Sequence, residues 1–177
     1  RYFRDELETS SDDEHIKDVV RRLNLLSSYL KKRCVLFLKG QEDGQIRADE
    51  LSMAVSETCA YLRPLGLHVA VEWRLTRAIA AEAALALFDL FAELLSRAAE
   101  EGAADVLCRF EENEMPEAIC MLTCADWIRP WISEWQRQHD LPIEISDLGY
   151  ALSIRAQGIS AAARTPAHGE EAAAWRV

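Results

Sequence analysis

The sequence is short of basic residues. Of its 177 residues, 20 are Lys or Arg and 30 are Asp or Glu, so the formal net charge is -10 at pH 7. Proteins that bind phosphate backbones need clustered Lys and Arg, and the one basic cluster in this chain spans residues 31–33. The charge therefore predicts that no nucleic acid is a partner.

A long hydrophobic run is also missing. No stretch of about 18 uncharged apolar residues occurs, and no basic segment followed by an apolar one opens the chain. We therefore expect no secretion signal, no membrane contact by this fragment and a cytoplasmic location. The first residue is Arg1 rather than methionine, which indicates a piece of a longer protein that could be membrane-anchored upstream.

Paired cysteine motifs are missing as well. The five cysteines, at positions 34, 59, 108, 120 and 124, form no C-x-x-C, and each lies within an apolar pattern. This spacing is typical of reduced core thiols, and no metal site is expected. With 50% hydrophobic residues, the chain can bury a core as one domain, or as one domain plus a helical appendage.

The first strong pattern is a long helix over residues 14–38. Its apolar positions are spaced by three and four residues: Ile16, Val19, Leu23, Leu26 and Leu30, with Phe37 resuming the series after Arg33. Such spacing is the seam of a helix that packs along a partner helix. The partner would be the preceding segment, residues 1–8, or a second copy of the chain, and a homodimer is expected.

Helices and strands follow this first helix in turn. The next predicted helix covers residues 48–62. A second helix ends near Glu101, before Gly102, and a third carries the apolar stripe Ile128, Trp131, Ile132 and Trp135. The predicted strands cover residues 67–73, 106–111, 118–124, 143–145 and 150–155.

Helices that cover one face of such a sheet make an α+β two-layer sandwich. The predicted divisions are a helical dimerisation-like segment over residues 1–40, a sandwich over 46–156 and a flexible tail over 157–177. Between the first two divisions, residues 41–45 (QEDGQ) are predicted to form a loop.

This order of elements resembles the cytoplasmic region of a sensor histidine kinase, in which a dimerisation hairpin precedes an ATP-binding sandwich. Residues 30–38 (LKKRCVLFL) are similar to the start of the second dimerisation helix in some members. Residues 50–71 resemble the helix and strand that open the ATPase domain, and residues 84–110 resemble the N-box helix with the strand after it. The resemblance implies a GHKL-type (Bergerat) ATPase fold, a response regulator as partner, and ATP with Mg²⁺ where the site is functional.

The N-box resemblance singles out two residues. Glu93 matches the glutamate that helps to activate the attacking group, and Arg97 stands where the family has a magnesium-ligating asparagine. A guanidinium cannot ligate a cation, so the magnesium site departs from the family pattern. Glu93 is a candidate catalytic base; the alternative is a surface ion pair with Arg97 at i, i+4, worth roughly 0.3 kcal/mol.

The family's Asp-x-Gly motif falls at Asp126, which makes Asp126 the candidate for binding the adenine of a cofactor. No glycine follows it closely, and between residues 127 and 154 the only glycine is Gly149. Backbone amides need glycines to turn inward around a triphosphate, so we expect a degenerate ATP site with no cofactor bound. The alternative for Asp126 is the cap of the helix that follows.

One histidine is a candidate phosphoacceptor. His15 lies near the start of the first long helix, and an ordinary surface histidine is the alternative reading. The string Arg4-Asp5-Glu6-Leu7 is similar to a His-Asp-Glu-Leu box with arginine in the place of the histidine.

These features predict a signalling module of a histidine kinase in two-component signal transduction, with a degenerate ATP site. Two alternatives remain open. One is an active ATP-dependent histidine kinase that retains Glu93 as its base. The other is a non-enzymatic α+β interaction domain, in which Trp127, Trp131 and Trp135 form either core or partner surface.

Overall fold

The computed structural model describes residues 13–113, 115–123, 126–139, 141–149 and 151–158. Its helices are α1 (Asp13–Asp43), α2 (Ala48–Leu62), α3 (Ala81–Glu100) and α4 (Ile128–Gln138), with one 3-10 turn at Arg63–Leu65. Its strands are β1 (Gln45–Ile46), β2 (His68–Trp73), β3 (Ile79–Ala80), β4 (Asp105–Glu112), β5 (Pro116–Thr123), β6 (Ile143–Asp147) and β7 (Ala151–Gln157).

Five of the strands form one sheet in the order β2-β4-β5-β7-β6. β2 and β4 are parallel, and the other neighbouring pairs are antiparallel. Parallel strands need a crossover connection, and α3 lies in the connection between β2 and β4. β1 and β3 form a separate antiparallel pair of two residues each.

The core lies between the sheet and the helices. Alternate residues of β4 are buried on the helix side: Val106, Cys108 and Phe110. On that side Phe110 meets Phe91 of α3 edge to face, with the ring centroids 5.5 Å apart. This arrangement confirms the predicted α+β two-layer sandwich with a long helix before it.

The helix α3 is central to the core. Alanine and leucine, both strong helix formers, supply most of its positions. More than half of its residues are buried: Ala83, Ala84, Leu87, Phe88, Asp89, Leu90, Phe91, Ala92, Leu94, Leu95 and Ala98. Its end is a Schellman motif, in which the N–H of Gly102 donates to Ala99 and that of Ala103 donates to Ala98. Gly102 has a φ of 77°, so the predicted stop at this glycine is confirmed.

The long helix α1 packs along α2 and α3. It runs five residues beyond the predicted end, to Asp43, so the predicted loop at residues 41–45 is wrong over its first half. Gly40 permits the close approach to α3, because a Cβ at this position would lie 2.6 Å from the Cβ of Ala81. The turn comes at Gly44, with a φ of 68°.

The predicted stripe on α1 is partly exposed, with Leu26 at 41%. Val19 is 1% exposed, whereas its neighbour Val20 is 44% exposed. Leu30 and Phe37, at 50% and 45%, also face outward. The outer face therefore carries exposed Val20, Leu30 and Phe37, with half-buried Leu23 in the same series, at spacings of three and seven residues. Within the described residues no helix is long and apolar enough to cross a membrane.

The cysteines are divided between core and surface. Cys108 and Cys120 lie directly opposite each other on β4 and β5, are buried, and have Sγ atoms 3.2 Å apart. Their hydrogen bond and their burial raise the pKa of the Cys108 thiol, which keeps it protonated. Both are core thiols as predicted, but Cys34 is exposed, so the prediction is wrong there.

Several predictions fall on parts of the chain outside the described residues. These are the Arg4-Asp5-Glu6-Leu7 box, Cys124 and the tail beyond Gly158. They stay predictions.

Candidate functional site

A buried carboxylate on α3 collects hydrogen bonds from α1. Asp89 is only 6% exposed and sits in the apolar string LFDLF. The Tyr29 hydroxyl donates to its Oδ1 at 2.8 Å, and the Nε–H of Arg33 donates to Oδ1 and Oδ2 at 2.9 and 3.0 Å. A buried carboxylate needs such partners, and these bonds join α1 to α3.

The electrostatics of this contact are consistent with tight pairing. Burial, followed by the charge and hydrogen bond of Asp89, raises the pKa of the Tyr29 hydroxyl. The hydrogen bond to Asp89 also raises the pKa of Arg33. Tyr29 therefore remains a neutral donor and Arg33 a cation at any physiological pH. We name Tyr29, Arg33 and Asp89 the α1–α3 clasp.

Glu93 lies one turn after the clasp and is held by α4. The indole N–H of Trp135 donates to its Oε2 at 3.0 Å, and the Trp135 ring stacks on His139 at a centroid distance of 4.0 Å. Burial raises the pKa of Glu93, while the Trp135 hydrogen bond opposes that shift. Glu93 is thus a partly desolvated carboxyl with one fixed donor.

The predicted ion pair between Glu93 and Arg97 is wrong. The Arg97 guanidinium instead pairs with Glu100 at 3.4 Å and with Glu101. Glu100 and Glu101 lie three and four residues after Arg97, the spacing at which side chains on a helix meet, so they compete for the same guanidinium. No salt bridge joins Glu93 to a cation among the residues that the structure describes.

A cavity of about 610 Å³ opens beside Glu93 between α1 and α3. The α1 side contributes Asp18, Arg22, Leu25, Leu26 and Tyr29; α3 contributes Ala92, Glu93, Ser96, Arg97, Ala99 and Glu100; Leu65 and Trp131 complete the wall. Arg22 donates to Asp18 at 2.8 Å and also approaches Glu100 at 3.9 Å. The cavity therefore combines an apolar wall with a rim of paired charges.

The other predicted site residues lie apart from this cluster. Asp126 is exposed in the turn before α4, and the helix-cap alternative is wrong because Trp127 occupies the N-cap position and no side chain caps the helix. His15 is exposed in the first turn of α1. Of the three tryptophans, Trp135 is buried, and Trp127 and Trp131 are half-buried.

The sequence reasoning missed the clasp and the Glu93–Trp135 bond. A signal for the clasp was present, because Asp89 is the only charged residue in an otherwise apolar run from residue 83 to 92. A charged residue at a core position must have a polar partner. The pattern therefore predicts that a partner exists, but it does not identify the residue. The described residues hold no group of three or more His, Cys, Asp or Glu arranged for a metal ion.

Comparison with known proteins gives structural matches only. No protein-family model and no curated protein sequence matches the chain. The histidine kinase domain of the blue-light activated histidine kinase from Erythrobacter litoralis EL346 is similar at a TM-score of 0.50 and 13% identity, over 78% of this chain and 73% of that one. A bacterial phosphotransferase is similar at a TM-score of 0.51 and 12% identity, over 88% and 85%.

At these identities the likeness concerns the fold. The chain therefore has a histidine-kinase-like ATPase fold preceded by a long helix.

Proposed function

We propose that the chain is a signalling module with the shape of a histidine-kinase ATPase domain and a nucleotide site that no longer works. The observation that carries this proposal is the occupation of the polar face of α3 by the protein's own side chains. Asp89 accepts hydrogen bonds from Tyr29 and Arg33, and one oxygen of Glu93 accepts a hydrogen bond from Trp135. In the family the N-box face of this helix serves the nucleotide.

The residues present do not fit Mg²⁺ with ATP. Arg97 stands at the magnesium-ligating position and is a cation that already pairs with Glu100 and Glu101. Asp126 has Trp127 after it and no neighbouring glycine to admit an adenine ring.

The signalling role rests on the fold and on α1. A structure of similar fold is a bacterial phosphotransferase, which supports a role in passing a phosphoryl group. His15 is exposed in the first turn of α1, where an incoming receiver domain could reach it. The partner in this proposal is a response regulator of a two-component system in the cytoplasm.

A transfer assay tests the proposal. The chain is incubated with Mg²⁺ and γ-labelled ATP in one reaction, and with response-regulator receiver domains phosphorylated by labelled acetyl phosphate in another. We expect no label on the chain from ATP. We expect label on the wild-type chain from a phosphorylated receiver domain, and no such label on the His15→Gln variant. Label taken from ATP would instead support the alternative of an active kinase, with Glu93 as its base.

We further propose that a second copy of the chain covers the outer face of α1. The series of exposed Val20, Leu30 and Phe37 with half-buried Leu23 has the spacing at which two helices interlock, and a face of this kind is self-complementary. The inner face of α1 is already used by α2 and α3. A homodimer follows from this geometry.

Charged substitutions separate this face from the rest of α1. Leu30→Glu and Phe37→Glu should convert a dimer into a monomer, because they place charges in an apolar seam. Val35→Glu is the matched control: Val35 is 42% exposed but lies outside the series. Light scattering reads the mass, and a wild-type monomer would contradict the proposal.

A further inference from the structure

The cavity between α1 and α3 has the size of a ligand site. Its volume of about 610 Å³ lies within the range of roughly 300–1,000 Å³ that small-molecule pockets occupy. Leu25, Leu26, Leu65 and Ala92 give it an apolar wall. The cavity therefore has room for a small organic molecule. The charges on the rim of the cavity decide what charge that molecule carries.

The charges that line the cavity favour a cation. Three carboxylates, from Asp18, Glu93 and Glu100, face two guanidinium groups, from Arg22 and Arg97, which leaves one negative charge in excess when all are ionised. Both arginines are engaged: Arg22 by Asp18 and Glu100, Arg97 by Glu100 and Glu101. An anion would have to displace these pairs.

Glu93 is the carboxyl that these pairs leave over. Among the described residues its hydrogen-bond partner is the Trp135 indole, a neutral donor that satisfies one of its oxygens. Burial raises its pKa by desolvating the carboxylate, and Arg33, already paired with Asp89, supplies only part of the counter-charge that the ionised form needs. A cation in the cavity would supply that charge and a second hydrogen-bond donor.

Two aromatic side chains, Tyr29 and Trp131, line the same cavity as Glu93. Tyr29 is fixed by its hydrogen bond to Asp89 and by stacking on Phe88 at 5.8 Å, and Trp131 is fixed edge to face against Trp127 at 6.2 Å. Aromatic rings with a carboxylate are a combination that recognises ammonium and amidinium groups. Both rings are held before any ligand arrives.

We propose that this cavity binds a small organic cation, an ammonium or amidinium group on an apolar body, with Glu93 as its counter-ion and Tyr29 and Trp131 as its aromatic walls. The inference does not depend on the proposed signalling role, since it uses the cavity and its charges alone. It assigns to the α1–α3 groove a ligand of opposite charge to a nucleotide.

Benzamidinium, benzamide and benzoate are suitable probes, because they share a ring and differ in charge. Isothermal titration of the wild-type chain should show binding of benzamidinium and much weaker binding of the two others. Glu93→Gln, which keeps an acceptor for Trp135, should weaken benzamidinium roughly tenfold, the usual effect of losing a charged hydrogen-bond partner. Glu42→Gln, an exposed residue near the far end of α1, removes the same charge and should leave binding unchanged.

A second variant tests the place rather than the charge. Ser96→Phe fills the cavity from the α3 side and should abolish benzamidinium binding while the circular dichroism spectrum stays that of the wild type. The proposal is overturned if benzamidinium fails to bind the wild-type chain, if benzoate binds as well as benzamidinium, or if Glu93→Gln binds like the wild type.

Discussion

At the scale of single residues, Asp89 is, with Glu117, one of the two buried carboxylates in the described structure. It is buried on α3 and is satisfied by Tyr29 and Arg33 from a helix more than 50 residues earlier in the chain. Removing a buried acceptor leaves its donors without a partner, which costs more than the bond itself contributes. The clasp therefore ties the stability of α1 to that of α3.

Asp89→Ala tests this contact. We expect it to lower the free energy of unfolding by about 1–2 kcal/mol, because the Tyr29 hydroxyl loses its acceptor, while Arg33 is exposed enough to regain water. Asp18→Ala is the control, since Asp18 accepts a similar bond from Arg22 at the surface and should change stability by less than about 0.5 kcal/mol. Urea denaturation measures both; equal effects would contradict a buried clasp.

Glu93 gives a prediction with a defined sign in pH. Its folded pKa is raised by burial, with Asp89 adding to the shift and Trp135, His139 and Arg33 opposing it. A carboxyl of this kind binds its proton more tightly in the folded state, so its ionisation destabilises the fold as the pH rises above the ordinary pKa of glutamate.

Glu93→Gln removes that ionisation and keeps the acceptor for Trp135. The stability of the variant relative to the wild type should therefore increase from acid pH through the raised pKa of Glu93 and then level off. Thermal unfolding at a series of pH values measures the difference. A difference that falls with rising pH would mean that Glu93 is stabilised as an anion.

The residue scale also shows where sequence reasoning ends. Glu93 was found by its position on α3, but its partner was predicted as Arg97, four residues on. Helical spacing offers Arg97 two further glutamates, at 100 and 101, and offers Glu93 no hint of Trp135, which is 42 residues away. Tertiary packing, and not helical spacing, decides which of the possible partners each of these side chains contacts.

At the scale of elements, α1 has two faces with different tasks. Leu36 is 2% exposed and belongs to the core, whereas Leu38, two residues later on the same helix, is 61% exposed. A helix of 31 residues in water gains most of its stability from such an inner face.

Leu36→Ala and Leu38→Ala form a matched pair that tests this orientation. Leu36→Ala should cost about 2–4 kcal/mol because it leaves a cavity in the core. Leu38→Ala should change stability by less than about 0.5 kcal/mol. Chemical denaturation of both variants measures the two effects, and a larger loss for Leu38 would mean that α1 is rotated.

Strongly periodic elements could be predicted from the sequence, and weakly signalled ones could not. The helix Ala48–Leu62 was predicted with its observed bounds, since Pro64 and Gly66 mark its end. The two-residue strands β1 and β3 carry no periodicity and were missed. The end of α1 was placed too early because the polar QED segment resembles a loop, although only Gly44 breaks the helix.

At the scale of the whole molecule, the order of elements predicted the fold better than any motif did. A strand, a helix and a hairpin in sequence, with α3 between the parallel strands, leave few ways to build one sheet. The site was harder to predict, because the side chains that cover α3 come from α1 and α4, at opposite ends of the described chain. The proposed function rests on this covering of α3 by side chains of α1 and α4.

The central claim is that the protein's own side chains have taken the place of a nucleotide. Isothermal titration of the wild-type chain with ATP in the presence of Mg²⁺ tests it most directly. We predict no binding heat up to millimolar ATP, because Arg97 offers no magnesium ligand and Asp89 is already engaged by Tyr29 and Arg33. One-to-one binding of ATP at micromolar concentration, lost when EDTA removes the metal, would contradict it.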